Sequence, residues 1–172
     1  MRLWPLAVLA LLAGCSSEPE ETEPELSDLY QRVDASFSDI VIDTPFDSVA
    51  DTLEQSVRDE CEQWGECDWR DADGVDHYVF GSTKSDRTVV LKGIAARNFE
   101  GRPIPALGIG MARQRDEVLE NVETFLDGTG LDCIPGDAIE SCGATIVPGW
   151  VTVEFDKDGA LRSVRFEGYH HV

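Results

Sequence analysis

The stretch that decides the fold is WVTVEFDKDGALRSVRFEGY, residues Trp150–Tyr169. On both sides of Asp156-Lys157-Asp158-Gly159, apolar residues alternate with polar ones. A period of two is typical of strands with one buried face, and an Asp-Gly pair between two such runs is a strong hairpin signal. The stretch therefore predicts a β-hairpin with strands over Trp150–Asp156 and Leu161–Tyr169.

Helices are predicted ahead of this hairpin. Leu26–Phe37 is predicted as a short helix.

Thr44 is suited to cap a longer helix, and Pro45 to occupy its first turn. Apolar residues then follow at steps of three and four, at Phe46, Val49, Leu53, Val57, Cys61 and Trp64. Gly65 ends this stripe, and another helix is predicted over Met111–Leu126.

The helix-and-hairpin pattern occurs twice. Asp76–Ser82 and Arg87–Ala95 predict the earlier hairpin. Sliding the chain by 75 residues aligns six identical pairs over the 27 positions from 67 to 93, among them Cys67 with Cys142 and Phe80 with Phe155. We therefore predict one α+β domain of two helix–β-hairpin repeats, over about 44–96 and 110–172, forming an antiparallel sheet with helices packed on one face.

The N-terminus has the pattern of an export signal. Met1-Arg2 is cationic, Leu3–Leu12 is almost wholly apolar, and Leu12-Ala13-Gly14-Cys15 follows. The apolar run is too short for a hydrocarbon core that needs roughly 20 residues. Its end resembles the lipobox of bacterial lipoproteins, which implies that residues 1–14 are a signal peptide and that Cys15 carries lipid. An ordinary secretory signal with a chance cysteine is the alternative.

The same resemblance predicts where the protein is located. Residues 15–27 are acidic and broken by Pro19 and Pro24, so we expect a disordered tether ahead of a domain spanning 28–172. Ser16, rather than aspartate, after the lipid-bearing cysteine favours the outer membrane by the sorting rule of that family. We therefore expect a periplasmic-face outer-membrane protein, held by its N-terminal lipid anchor.

The charge balance excludes one class of partner. The chain has 34 acidic and 14 basic residues, a net charge of −20. Without Arg2, 13 basic residues remain and the mature chain carries −21. A chain this acidic is repelled by DNA, RNA and anionic lipid headgroups. We therefore predict no nucleic-acid partner.

Four of the five cysteines are predicted to form disulfides. With Cys15 assigned to lipid, Cys61, Cys67, Cys133 and Cys142 remain, the last two flanking a Gly/Pro loop. Disulfides are favoured over zinc because the spacings lack nearby histidines and the exported compartment is oxidising. Four cysteines can pair in three ways. If the repeat is a duplication, equivalent cysteines have equivalent roles, which predicts the bridges Cys61–Cys67 and Cys133–Cys142.

The second repeat resembles a known tandem fold. Gly110-Met111-Ala112-Arg113 leads into Asp116-Glu117-Val118-Leu119, and Gly130–Cys133 and Val153–Leu161 follow. These stretches are similar to the β-lactamase inhibitory proteins and to a small outer-membrane lipoprotein of the barrel-assembly machinery. The resemblance implies two helix–hairpin units, each with its own disulfide. Thr44-Pro45-Phe46 stands where the first unit should have Gly-Met, and no inhibitory residue is carried over.

The sequence predicts no catalytic residue, no metal site and no cofactor. It lacks the G-x-S-x-G, phosphate-loop and H-E-x-x-H motifs. Its histidines are His77 and the adjacent pair His170 and His171, which chelate poorly on a strand because neighbours point to opposite faces. Asp71–Asp76 hints at a calcium loop but lacks the glutamate at position twelve, so a solvated acidic turn is favoured.

A binding face is the stronger hypothesis. We expect Tyr78, Phe80, Val89 and Leu91, together with the apolar residues of the later hairpin, to face the helices. The opposite face would then carry His77, Val79, Val90, Ile94, Trp150, Thr152, Arg165 and Tyr169. Aromatic residues beside an arginine are favoured at interface centres. The alternative is that Leu29–Ile42 folds across this face and covers it.

Together these patterns predict a non-catalytic envelope lipoprotein that binds an envelope protein or assists envelope assembly. One alternative is an inhibitor that docks its sheet onto an extracytoplasmic enzyme. The other is an enzyme with a metal- or carboxylate-dependent site that no motif marks.

Overall fold

The computed structural model of the chain describes residues 27–83 and 85–168. Within them the chain is an α+β fold with a seven-stranded antiparallel sheet and four α-helices, which confirms the predicted fold class. The predicted signal peptide, Cys15 and Tyr169 lie outside the described residues. The predicted tether lies outside them too, except for Ser27, which caps the first helix.

The elements follow one another from α1 to β7. The helices are α1 (Asp28–Phe37), α2 (Phe46–Val49), α3 (Gln55–Trp64) and α4 (Arg115–Phe125). The strands are β1 (Glu66–Arg70), β2 (Asp76–Phe80), β3 (Thr88–Ala95), β4 (Asp132–Pro135), β5 (Ile139–Ile146), β6 (Gly149–Asp156) and β7 (Leu161–Gly168). None of the described helices has both the length and the apolarity needed to cross a membrane.

The sheet has the strand order β1-β2-β3-β7-β6-β5-β4, so the last strand of the chain lies near its middle. There β3 pairs with β7, with Lys92 opposite Phe166 and Ile94 opposite Val164. Both predicted hairpins, β2–β3 and β6–β7, are confirmed. The sheet therefore consists of a first half, β1–β3, and a second half, β4–β7, that meet at the β3–β7 pairing.

The helices pack against one side of the sheet, which we call the inner face. Ser27 Oγ accepts a hydrogen bond from the Tyr30 backbone N–H at 3.1 Å and starts the predicted first helix. The rings of Tyr30 and Phe37 lie 5.0 and 6.3 Å from that of Phe166 on β7. Buried residues of the helices and of this face form a single core.

The long helix predicted from Thr44 is broken, and that prediction is wrong. A 3₁₀ turn follows α2, and Leu53 is extended with ψ 156° before α3 begins. Backbone pairing to β3 fixes the start of this segment: Asp43 N donates to Val89 O at 2.8 Å, and Val89 N donates to Thr44 O at 3.0 Å. The apolar stripe thus continues through a bend, and Gly65 ends α3 with φ 77°, as predicted.

The other predicted helix, Met111–Leu126, is shorter at its start. Arg115 N donates to Gly159 O at 2.9 Å, and Leu161 N donates to Arg113 O at 2.8 Å. These bonds hold residues 113–115 extended against the β6–β7 turn. For that reason α4 begins only at Arg115.

Both predicted disulfides are present. Cys61–Cys67 joins the end of α3 to β1, and Cys133–Cys142 joins β4 to β5. The loop predicted between Cys133 and Cys142 is mostly strand, because the two cysteines lie directly opposite each other in a paired ladder. Each bridge therefore closes a local unit of the fold rather than linking distant parts of the chain.

The predicted facing is confirmed in the second half and at Val89 of β3, and it is wrong at Tyr78, Phe80 and Leu91. Val151, Val153, Phe155, Val164 and Phe166 are fully buried on the inner face, as expected. In the first half His77 and Val79 are fully buried, whereas Phe80 is 48% exposed. Val90 is an extra residue between the pairs Val79–Val89 and Tyr78–Leu91, and this bulge shifts the alternation of β3 by one.

The predicted repeat spacing does not match burial at every aligned pair. At an offset of 75 residues, Cys67 and Cys142 are both buried, and so are Val89 and Val164, but exposed Phe80 corresponds to fully buried Phe155. The two-repeat architecture is therefore not confirmed.

Candidate functional site: the outer face of the sheet

The structure divides the predicted partner-binding residues between the two faces of the sheet. Trp150 and Arg165 lie on the side away from the helices, which we call the outer face. The other four that are described are buried, and their predicted exposure is wrong: His77, Val79, Val90 and Ile94. Tyr169 lies outside the described residues.

The segment predicted as a possible cover lies on the inner face. Asp34 of α1 contacts Lys92, and Tyr30 and Phe37 contact Phe166. Residues 28–42 therefore help to bury the side of the sheet that carries His77. They leave the side that carries Trp150 open.

A continuous row of side chains crosses the outer face. It runs in register over six strands through Asp68, Tyr78, Leu91, Glu167, Trp150 and Thr145. In this row Tyr78 and Leu91 lie between the carboxylates of Asp68 and Glu167. Trp150 lies on the other side of Glu167. The outer face is thus amphipathic and acidic rather than evenly apolar.

Trp150 lies flat against the sheet because residue 143 is a glycine. A Cβ built on Gly143 would lie 2.5 Å from Cζ2 and 2.8 Å from Nε1 of the Trp150 indole. The close approach leaves one side of the ring against the backbone, and Trp150 remains 36% exposed. An aromatic ring fixed in this way offers contact area with little ordering cost, which is favourable in an interface.

The cations of the outer face are neutralised by carboxylates within it. Arg165 Nη2 lies 2.5 Å from Glu154 Oε1, and Arg70 Nε lies 2.6 Å from Asp76 Oδ1. Burial alone would raise the pKa of Glu154, but hydrogen bonds from Ser163 and Arg165 outweigh it and lower that pKa. The face therefore keeps an excess of negative charge.

The Tyr78 hydroxyl is held as a hydrogen-bond donor. It donates to Glu66 Oε2 at 2.6 Å. This hydrogen bond is the main cause that raises the pKa of Tyr78 to about 12. The ring is therefore fixed in place and uncharged at neutral pH, beside Leu91 in the row.

A cluster of charged side chains that no sequence motif predicts lies under the inner face of the first half. Lys92 Nζ lies 2.6 Å from Asp34 Oδ1 and donates to the Asp34 and Ser38 carbonyls at 2.9 and 3.3 Å. Asp34 Oδ2 accepts from Ile42 N at 3.0 Å. Lys92 is fully buried, and the only sequence signal for it is a lysine inside the apolar run V-V-L-K-G-I.

His77 belongs to the same cluster. Its Nε2 lies 2.9 Å from Asp71 Oδ2, and its ring stacks on Trp69 at 5.0 Å. Burial is the main cause that lowers the pKa of His77; nearby Lys92 lowers it further, whereas Asp71 opposes the shift. Burial likewise lowers the pKa of Lys92 against the opposing effect of Asp34.

The buried cluster has the geometry of a structural support. His77 is fully buried and offers no surface to a substrate. Asp71 Oδ1 accepts from Asp73 N at 3.0 Å and Val75 N at 2.9 Å, so this carboxylate organises the β1–β2 turn. Among the described residues, the one metal-like grouping is Cys133, Glu140 and Cys142, whose two thiols are consumed by a disulfide.

Comparisons of this chain with protein-family models, with curated proteins and with solved structures find no match.

Proposed function

We propose that the protein is a lipid-anchored module of the bacterial envelope that binds a protein partner through the outer face of its sheet. The lipobox-like Leu12-Ala13-Gly14-Cys15 behind a short apolar run supports the anchor and the outer-membrane location. One observation carries the binding role: the described helices pack on the inner face, so the outer face is left open with Trp150 fixed flat upon it. We propose no catalytic role.

The charge of the outer face indicates the chemistry of the partner. Asp68 and Glu167 lie in the same row as Tyr78, Leu91 and Trp150. Within the described residues neither carboxylate forms a salt bridge, so both remain available to cations. A partner surface with an apolar centre and lysine or arginine around it would be complementary. A second copy of this chain, at −20, would instead bring acidic face against acidic face.

Site-specific photocrosslinking tests the binding role. A photoreactive residue replaces Thr145, which is exposed beside Trp150, in the full chain in its native envelope. The matched control places it at Glu120, which is exposed on α4. We expect one reproducible protein adduct from position 145 and none of that mass from position 120. Equal adducts from both positions, or none from either with the protein folded, would refute the proposal.

A substitution supplies a second readout. Trp150→Ala removes the ring but no buried core residue, so we expect a lower adduct yield at position 145 and a thermal midpoint close to that of the wild type. A large loss of stability would show instead that Trp150 mainly covers Gly143. In that case the outer face would lose its proposed binding centre.

The anchor has an independent test. Cys15→Ser removes the only sulfur available for acylation at the lipobox-like site. We expect this variant to appear in the soluble fraction, whereas a Ser17→Ala control stays with the membrane. Membrane retention of the Cys15→Ser variant would refute the anchor and leave the binding face to be judged separately.

We infer further that the two halves of the sheet descend from one duplicated unit, as the resemblance to the tandem inhibitor fold implies. The strand order supports this, because the strands run outward from the β3–β7 pairing as β3-β2-β1 on one side and β7-β6-β5 on the other, with β4 additional at the edge. Cys67 on β1 and Cys142 on β5 are both buried, each on the strand that precedes a hairpin. The bulge at Val90 would then be an insertion made after duplication.

A further inference from the structure

Three arginines line one cavity at the end of the sheet opposite the Trp150 row. The cavity has a volume of about 440 Å³ and is lined by Arg97, Arg113 and Arg162 together with Glu100 and Asp156. We call it the arginine pocket. Such a grouping is unexpected in a chain with 34 acidic and only 14 basic residues.

The fold brings these arginines together from three parts of the chain. Ala95 pairs with Ser163, so the end of β3 lies beside the start of β7. Arg97 lies in the 3₁₀ helix that follows β3, and Arg162 lies at the bulge of β7. Arg113 is joined to the same place because its carbonyl accepts from Leu161 N at 2.8 Å.

Arg113 forms the fixed floor of the pocket. Its Nη1 donates to the carbonyls of Gly110 and Ala112 at 2.9 and 2.6 Å, and its Nη2 to those of Phe99 and Arg102 at 3.0 and 2.6 Å. These four bonds order the guanidinium without any carboxylate. Its positive charge is therefore held in place and left uncompensated by an anion of the described chain.

Arg97 and Arg162 are exposed at the mouth of the pocket and form no salt bridge or hydrogen bond with the described residues. Most other described cations are paired with carboxylates: Arg32–Asp127, Arg70–Asp76, Lys92–Asp34, Arg115–Glu140 and Arg165–Glu154. The pocket thus holds three of the six described lysines and arginines that form no salt bridge with described residues; the other three are Arg87, Arg102 and Lys157.

The two carboxylates of the pocket offset part of its charge, so three arginines against Glu100 and Asp156 leave an excess of one positive charge. Asp156 Oδ1 accepts from the backbone N–H groups of Asp158 and Ala160, both at 3.0 Å, so it is committed to the β6–β7 turn. Glu100 is exposed and forms no salt bridge with the three arginines. A ligand anion entering the pocket would therefore meet three guanidinium groups, two of them without a partner.

We propose that the arginine pocket binds a compact anion that presents a phosphate group. Guanidinium groups bind phosphate oxygens through paired N–H donors, and phosphate offers enough acceptors for several arginines at once. The net charge of the chain repels long polyanions, but at physiological ionic strength screening acts over about 8 Å, so the local arginines dominate inside the pocket. The ligand is accordingly a small phosphate or a single phosphorylated headgroup.

The test measures binding of inorganic phosphate and of glycerol 3-phosphate to the full chain in detergent, by NMR or calorimetry. The pocket variant is Arg97→Gln/Arg162→Gln, and the matched control is Arg32→Gln/Arg58→Gln, which lowers the net charge equally but lies elsewhere. Each lost charge-assisted hydrogen bond weakens binding by about tenfold. We therefore expect saturable phosphate binding that falls at least about tenfold in the pocket variant and stays within about twofold of wild type in the control.

The two probes distinguish the sources of the phosphate group. Equal affinities indicate that the pocket takes free phosphate, and tighter binding of glycerol 3-phosphate indicates a lipid-like headgroup; both results support the site. The proposal is overturned if neither probe binds saturably to the folded wild-type chain, or if the pocket and control variants lose affinity equally. The result is independent of the outer face, because no residue of the Trp150 row is changed.

Discussion

The two halves of the sheet hold the same helix, α1, by different physical means. In the second half Phe166 meets the rings of Tyr30 and Phe37. In the first half the position directly opposite Phe166 is Lys92, whose ammonium binds Asp34. Apolar packing is tolerant of shape and direction, whereas a buried ion pair requires both partners in one geometry. The comparison shows that α1 is located by the ion pair and stabilised by the aromatic contacts.

The largest expected effect comes from breaking the buried ion pair between Lys92 and Asp34. Lys92→Met leaves the buried Asp34 carboxylate without its cation, and such a loss costs about 3–5 kcal/mol of unfolding free energy. Chemical denaturation measures it. The double variant Lys92→Met/Asp34→Asn should regain most of the loss, because no uncompensated charge remains. A single variant as stable as wild type would show that Lys92 and Asp34 are not paired in solution.

Removing each disulfide in turn compares how much the two bridges, near opposite edges of the sheet, contribute to stability. Cys61→Ala/Cys67→Ala and Cys133→Ala/Cys142→Ala each open a short loop, of sequence separation 6 and 9. The chain-entropy model gives a loss of about 2–3 kcal/mol for each. The first pair should cost more, because Cys61 and Cys67 are both buried while Cys133 is partly exposed. Equal thermal midpoints for the two variants would contradict this ranking.

A smaller effect is expected from repacking the apolar half. Phe166→Leu keeps an apolar side chain against Tyr30 and Phe37 but leaves a small cavity and loses the ring contacts, so we expect a cost of about 1–2 kcal/mol. Denaturation under the same conditions as for Lys92→Met gives the direct comparison. If Phe166→Leu lowers the free energy of unfolding more than Lys92→Met does, the apolar contact of the second half is not the one that better tolerates substitution.

The smallest expected effect is a pH dependence between pH 7.5 and 5.5 that comes from His77 in the first half. The pKa of His77 is lowered in the folded state, so below about 6.5 the unfolded chain binds a proton that the folded chain does not. Stability is therefore present above that pH and falls as the pH decreases through it. The lowered pKa of Asp71 acts in the same direction at more acid pH.

Thermal midpoints at pH 7.5 and 5.5 check this dependence. His77→Gln should flatten it, because the lowered pKa belongs to His77. The control His170→Gln/His171→Gln, which also removes histidines, should preserve it. A wild-type protein that is equally stable at both values, or more stable at pH 5.5, would contradict the prediction.

Local signals predict elements correctly where they are strong. The β6–β7 hairpin follows from strict alternation about an Asp-Gly turn. The disulfide pairing is predicted only on the assumption of a duplication; both bridges are present, although the repeat is not confirmed. Local patterns fail where a tertiary contact overrides them. The bend at Leu53 follows from backbone pairing of residues 43–44 with β3, and the facing of β3 follows from one extra residue at Val90.

The α+β class and the two hairpins follow from the sequence alone, because they depend on residue type and short-range spacing. Only the tertiary structure decided which side of the first half is buried, because Lys92 and His77 enter the core solely through their pairing with Asp34 and Asp71. The same holds for the arginine pocket, whose members are separated in the chain and meet only when β3 pairs with β7. A charged side chain that a sequence pattern predicts to be exposed is stable inside a protein when the fold supplies an oppositely charged or hydrogen-bonding partner.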